Sequence, residues 1–275
     1  MVVVAAQVKE LAAGKLSETH LKKAIEAIRV DGCVVIENII NHEHLDILRE
    51  RMDADSRKLI KAEKWGGAGM LKGHLQQGPP PFAPYIFGDI VANPYVVQVT
   101  KELLGAGVYN NFYNGNTNCP GSGTQPLHRD GDHLWLHQEV AHPAAEVVVN
   151  ISPQDTTEEN GSVELWPGSH LDVSDRHIDE EHEAERREIA PPIRGNAKKG
   201  SVLIRDMRLW HRGVPNLSDE PRHMIAMIHR IRWLRSGRRL KYQTGCEAAF
   251  ENSELDHNAE FIDEKMDDYL FNPKF

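Results

Sequence analysis

The sequence predicts a mainly β fold with flanking helices, a β-sandwich or jelly roll. Two observations carry that expectation. The N-terminal third shows apolar residues at helical spacing, whereas from about residue 107 to 235 the chain breaks into short runs rich in β-branched and aromatic residues. Turn-forming residues separate those runs. The 275 residues can bury a substantial core, and no convincing linker divides them, so 1–275 reads as one domain.

Each element has its own local reason. Ser17 can cap a helix in which Leu21, Ala24, Ile25 and Ile28 share a face. "DGCVVIENII" follows as a buried strand, with Asp31-Gly32 as the turn before it. From His42 to about Lys64 the spacing is helical again, with Leu45, Leu48, Met52, Leu59 and Ile60 as the stripe. "WGGAGMLKGHLQQGPPPFAP" is Gly- and Pro-rich and reads as a loop. Pro94 suits the first turn of a helix that ends near Gly105. The strand-like runs are "GVYNNFYNG", "AEVVVNIS", "GSVELWPG", "GSVLIRDMRLWHRG" and "RHMIAMIHRIRW", with Trp166 and Trp210 as core aromatics. The charged run 172–189 reads as an insertion between strands, either a lid or a solvated helix.

The formal net charge of −9 disfavours an electrostatic grip on nucleic acid or an anionic membrane. Three widely spaced cysteines suggest neither a disulfide framework nor a Cys-rich zinc site. "MVVVAAQVKELAAG" is too short and too soon charged for a signal peptide or a span, and "NPKF" is no peroxisomal tripeptide. The expectation is a cytoplasmic protein.

The chemistry-bearing candidates begin with "QPLHRDGDHLW", which sets His128 and Asp130 one residue apart. His44/Asp46 and His177/Asp179 have the same spacing, but in helix-like or highly charged surroundings. On a helix, residues i and i+2 diverge; on a strand they share a face and can chelate one ion. His211, in "RLWHRGVPN", supplies a third ligand at the end of an apolar strand. Two histidines and one carboxylate leave coordination positions open, as in non-haem Fe(II) oxygenases, whereas a structural zinc site would be closed by a fourth ligand. Arg222 follows His211 by eleven residues, and a short hairpin would return its guanidinium to the metal to hold a dicarboxylate by two prongs.

His128-x-Asp130, His211 and Arg222 together resemble the phytanoyl-CoA dioxygenase family of Fe(II)/2-oxoglutarate-dependent oxygenases. "ENGSVELWPGSH" and "KKGSVLIRDMRLWHRG" resemble further segments of that family, and the likeness runs from about Gly32 to Trp233. The resemblance implies a double-stranded β-helix (a cupin-like jelly roll), with Fe(II) held by His128, Asp130 and His211. It implies 2-oxoglutarate paired with Arg222, O₂ as oxidant, and release of succinate and CO₂. Gln125 resembles a co-substrate-contacting glutamine of some small-molecule-tailoring members. Gly213 departs from the founding enzyme, which has a co-substrate-binding serine there, so different contacts are expected.

The wording around Arg208 and Trp210 is similar to the secondary-metabolism branch, which hydroxylates, desaturates, epoxidises, rearranges or forms endoperoxides on small organic molecules. Halogenation is disfavoured, because related halogenases have a small residue at the place of Asp130. Candidates for the substrate pocket are Met70, Leu71, His74, Asn111, Trp135 and His137, with Tyr113 as a candidate relay of a hydrogen atom or proton. The competing class is a non-catalytic cupin-type metal- or ligand-binding protein. The segment "FIDEKMDDYLFNPKF" is a candidate cover for a neighbouring subunit in a homodimer.

Overall fold

The computed structural model describes residues 1–174 and 177–272. In chain order the elements are β1 (Val2–Ala5), α1 (Val8–Ala13), α2 (Glu18–Asp31), β2 (Cys33–Glu37), α3 (His42–Lys61) and β3 (His74–Gln76). Next come α4 (Gly88–Val91), α5 (Pro94–Leu104), β4 (Tyr109–Asn118), β5 (Glu146–Ile151), β6 (Glu164–Leu165) and α6 (Glu180–Ile189). The last are β7 (Ile193–Arg194), β8 (Val202–Asp206), β9 (His211–Arg212), β10 (Arg222–Arg230), β11 (Leu240–Gln243) and β12 (Ala259–Ile262).

A large sheet in the order β1-β2-β8-β5-β10-β4-β3 faces a small one in the order β7-β6-β9, which is a jelly roll with flanking helices. The sheet is not confined to residues 107–235. β1, β2 and β3 extend it on both sides, and β3 arises inside the Gly/Pro-rich stretch expected to be loop. Three residues are too few to show an alternating pattern, so β3 exists because β4 offers it an edge.

Strand parity assigns the two faces of the large sheet. Val147, Val149, Ile151, Ile204, Ile225 and Met227 join one buried cluster with α2 and α5 residues such as Ile25, Ile28, Val96 and Val99. Asn150, Arg205, Arg222 and Met224, on the other parity of their strands, line a cavity on the opposite face, toward the small sheet. Ser17 caps α2 by accepting from His20 N, and Asn93 caps α5 just ahead of Pro94.

On α3 the buried stripe is Leu45, Leu48, Met52, Asp55, Ser56 and Leu59; Ile60 lies exposed instead. Buried Asp55 is satisfied by Arg51 Nε at 2.7 Å, Lys58 Nζ at 2.8 Å and the Tyr269 hydroxyl. That contact ties the C-terminal segment to its own chain, where Leu270 packs on Leu59, Leu75 and Cys119. Within the segment that was a candidate cover for a neighbouring subunit, Tyr269 and Leu270 pack on their own chain; residues 273–275 lie outside the described ones. Among the described residues no helix is long and apolar enough to cross a membrane.

Candidate metal centre

The small sheet brings the two histidines together. His128 and His211 form an antiparallel bridge, with His128 N donating to His211 O at 3.1 Å and His211 N to His128 O at 2.8 Å. His128 therefore sits in a single bridge rather than a strand. Asp130 follows in a bend, its N–H donating to Met207 O at 3.1 Å. Bridge and bend together do what a strand was expected to do.

Each histidine has its tautomer fixed by its own backbone. His128 Nδ1 donates to Pro126 O at 2.8 Å, and His211 Nδ1 donates to Leu209 O at 3.0 Å. A carbonyl can only accept, so both Nδ1 atoms carry the proton and both Nε2 atoms present a lone pair. Those lone pairs converge on one carboxylate. His211 Nε2 lies 3.5 Å from Asp130 Oδ2, and His128 Nε2 lies 3.8 Å from Asp130 Oδ1. Among the described residues these three form a group whose ligand atoms all lie within 4.8 Å of one another. The donor set fits a metal with open coordination positions, because no fourth His, Cys, Asp or Glu among the described residues joins this group.

Charge keeps the ligands deprotonated. Burial alone would raise the Asp130 carboxyl, but Arg205, His211 and His128 outweigh it and hold it well below the ordinary range. Burial, with Arg205 adding, lowers His211 to about 3. Both ligands are therefore ready to bind a cation at neutral pH.

The triad opens into a cavity of about 630 Å³ between the sheets. Arg222, at the first position of β10, lines it and is 4% exposed. It arrives by a crossover from the small sheet to the large one, not by a hairpin, since β9 and β10 lie in different sheets. Its Nη2 donates to Gly161 O at 2.7 Å, whereas its Nε finds no acceptor among the described residues. Gly161, in the Glu-Asn-Gly turn, has φ +73°, and a Cβ there would come within 2.4 Å of Asn118 Nδ2. Burial lowers the Arg222 guanidinium to about 10, still protonated at neutral pH.

Gln125 also lines the cavity, its Oε1 accepting from Gly213 N at 2.8 Å. His74 is held beside it by donating from Nε2 to Gly123 O at 2.8 Å. A Cβ at position 213 would fall 2.6 Å from Gln125 Oε1 and 2.9 Å from His74 Cε1. The space that a side chain at position 213 would take, where different co-substrate contacts were expected, is thus filled by the glutamine.

The phytanoyl-CoA dioxygenase (PhyH) family profile matches residues 28–224. The chain belongs to this family. Among curated relatives, dioxygenase aneA from Aspergillus aculeatus is 28% identical over 159 residues, covering 54% of this chain and 53% of its own length. Dioxygenase peniF from Penicillium patulum is 24% identical over 234 residues, covering 76% of this chain and 71% of its own. The chain thus spans about half of the first of these relatives and about seven-tenths of the second. Among solved structures, the carbocyclase SnoK from nogalamycin biosynthesis, described as non-haem and α-ketoglutarate-dependent, superposes with a TM-score of 0.55 at 18% identity. That superposition covers 78% of this chain and 84% of SnoK, and it bears on the fold alone. Family and relatives support an oxygenase.

Not every residue expected to wall the substrate pocket lies in the cavity. Met70 and His74 line it, but Leu71, Asn111, Trp135 and His137 do not. Asn111 accepts from Ser236 Oγ at 2.7 Å, and Trp135 is 56% exposed with its ring edge-on to His142. Tyr113, expected beside the triad, is on the opposite face of β4. It pairs across the ladder with Met227, a member of the helix-facing core, and its ring meets Tyr242 at 5.6 Å. Asn116 and Asn118, on the other parity, pair with Met224 and Arg222 and do line the cavity. Asn150 and Arg205 were also overlooked; an arginine inside the apolar run "SVLIRDM" was the available signal.

The described part of the charged insertion is braced on the small sheet. α6 packs on the outer side of the small sheet, with Arg212 donating to Glu183, Arg187 over the Trp166 ring at 4.8 Å, and the His182 ring edge-on to Trp210. Residues 175–176 of the insertion lie outside the described ones.

Proposed function

We propose that the protein is a non-haem Fe(II)/2-oxoglutarate-dependent dioxygenase that oxidises a C–H bond of a small organic molecule. The observation that carries this reading is the opening of the His128/Asp130/His211 group and the Arg222 guanidinium into one cavity. His128 Nε2, His211 Nε2 and Asp130 would hold the iron. When bound, the metal supplies activation of O₂, coupled to decarboxylation of 2-oxoglutarate to succinate and CO₂.

The remaining work falls to the chain. Arg222 pairs with the distal carboxylate of the co-substrate, for which its unanswered Nε is available. Gln125, anchored on Gly213 N, directs its amide nitrogen to the same space, near Gly67. The loop carrying Gly66, Gly67, Ala68 and Met70 forms one wall and restricts water. A secondary metabolite is the substrate class this reading favours. Hydroxylation is its simplest outcome; desaturation, epoxidation, rearrangement and endoperoxidation use the same residues.

The test is release of succinate from 2-oxoglutarate by the Fe(II)-loaded protein, with and without a metabolite library, in wild type and His211→Ala. Succinate formed only by the wild type and raised by a library member supports the reading. Metal bound with no succinate under any condition would leave a non-catalytic cupin-type binder.

A further inference from the structure

Arg205 is a buried cation whose one task so far, keeping Asp130 ionised, uses only part of its guanidinium. It lies inside β8, 4% exposed, between Ile204 and Asp206. Its Nη2 donates to Asp130 Oδ2 at 2.5 Å and its Nε to Asn150 Oδ1 at 3.2 Å. Its Nη1 finds no acceptor among the described residues, and neither does the Asn150 Nδ2. Both residues line the cavity that holds the metal group. Buried N–H groups are rarely left idle, least of all on a charged side chain. Two idle donors, on residues joined by a hydrogen bond and lining one cavity, call for an oxygen-rich ligand.

Arg222 does not already serve that place. Through β5, Arg205 is level with Ile228, which lies six residues along β10 from Arg222. Arg205 reaches the Asp130 carboxylate, while Arg222 reaches the Gly161 carbonyl. The two guanidiniums therefore address different parts of the cavity, and the one on Asp130 is the one beside the metal group.

We propose that Arg205 and Asn150 form a second carboxylate-binding pair, which takes the 2-oxo-acid end of the co-substrate next to the metal, while Arg222 takes the distal carboxylate. This rests on the function proposed above. Arg205 then has two partners, Asp130 Oδ2 through Nη2 and the co-substrate through Nη1. Asn150 orients the guanidinium with its oxygen and adds a donor with its nitrogen. No bond is made or broken by either residue.

Two acids separate the roles. 2-Oxoglutarate carries both carboxylates, whereas 2-oxobutyrate carries only the 2-oxo-acid end. Each is titrated anaerobically into Fe(II)-loaded protein, following the visible charge-transfer band, with iron content measured in every sample. The proteins are wild type, Arg205→Gln, Asn150→Asp and Arg222→Gln. Asn150→Asp keeps the acceptor for Arg205 and replaces the donor, so it decides the matter should Arg205→Gln lose iron.

The pair predicts that Arg205→Gln and Asn150→Asp weaken both acids alike, about tenfold or more. Arg222→Gln weakens 2-oxoglutarate by a similar factor and leaves 2-oxobutyrate unchanged. Iron-loaded Arg205→Gln or Asn150→Asp binding 2-oxobutyrate as wild type does would overturn the proposal. An iron-loaded wild type that shows no band with either acid would instead overturn the oxygenase reading itself.

Discussion

Gln125 and Gly213 form a complementary pair: the Gln125 Oε1 accepts from Gly213 N at 2.8 Å, in space that any side chain at 213 would need. Gly213→Ser therefore overpacks this wall of the cavity, at a cost of about 1–3 kcal/mol. Gln125→Ala in the same chain should recover much of that loss. Urea unfolding of the two single variants and the double variant checks the coupling; additive losses would show that the two positions do not compete.

Tyr113→Phe should leave succinate release and co-substrate affinity unchanged, because the phenol is on the helix-facing side of β4. Its hydroxyl is buried and has no partner among the described residues, so its removal should be neutral or slightly stabilising. A large fall in turnover for this variant would mean that the ring reaches the cavity.

Glu183→Gln should cost less than about 1 kcal/mol, since its pairing with Arg212 is partly solvated. It should not alter 2-oxoglutarate binding, because α6 braces the outer side of the small sheet. A changed dissociation constant with unchanged stability would return α6 to the role of a lid.

Acid sensitivity should come in part from His229. Burial, with His257 nearby, lowers its imidazole from 6.5 to about 3. The folded pKa is below the unfolded one, so as pH falls from 6.5 toward 3 the unfolded chain takes up a proton that the folded chain refuses. Stability is full above 6.5 and declines below it. His229→Gln should flatten the acid slope by up to about 1.4 kcal/mol per pH unit, read from urea midpoints between pH 7 and pH 5. An unchanged slope would mean that His229 is already protonated when folded.

The sequence made the His128/Asp130/His211 group and Arg222 legible because these residue types have few other reasons to recur together at this spacing: His128-x-Asp130, then His211, then Arg222 eleven residues on. The helices α2, α3 and α5 were equally legible: α3 and α5 bury stripes longer than two turns, and α2 buries Ala24, Ile25, Ala27 and Ile28 behind its Ser17 cap. The pocket wall was not. Asn111 and Tyr113 were chosen for proximity in sequence, whereas strand parity and the pairing with β10 admit Asn116 and Asn118 instead. β3 and the outward docking of α6 were hidden for a related reason, as both depend on partners far away in the chain.

The central claim is that His128, Asp130 and His211 hold an iron that 2-oxoglutarate then chelates. The most direct measurement is the anaerobic visible spectrum of Fe(II) and 2-oxoglutarate with wild type and Asp130→Ala. A charge-transfer band in the wild type that disappears in Asp130→Ala is the predicted result. A band of equal strength in both, or none in an iron-loaded wild type, would contradict it.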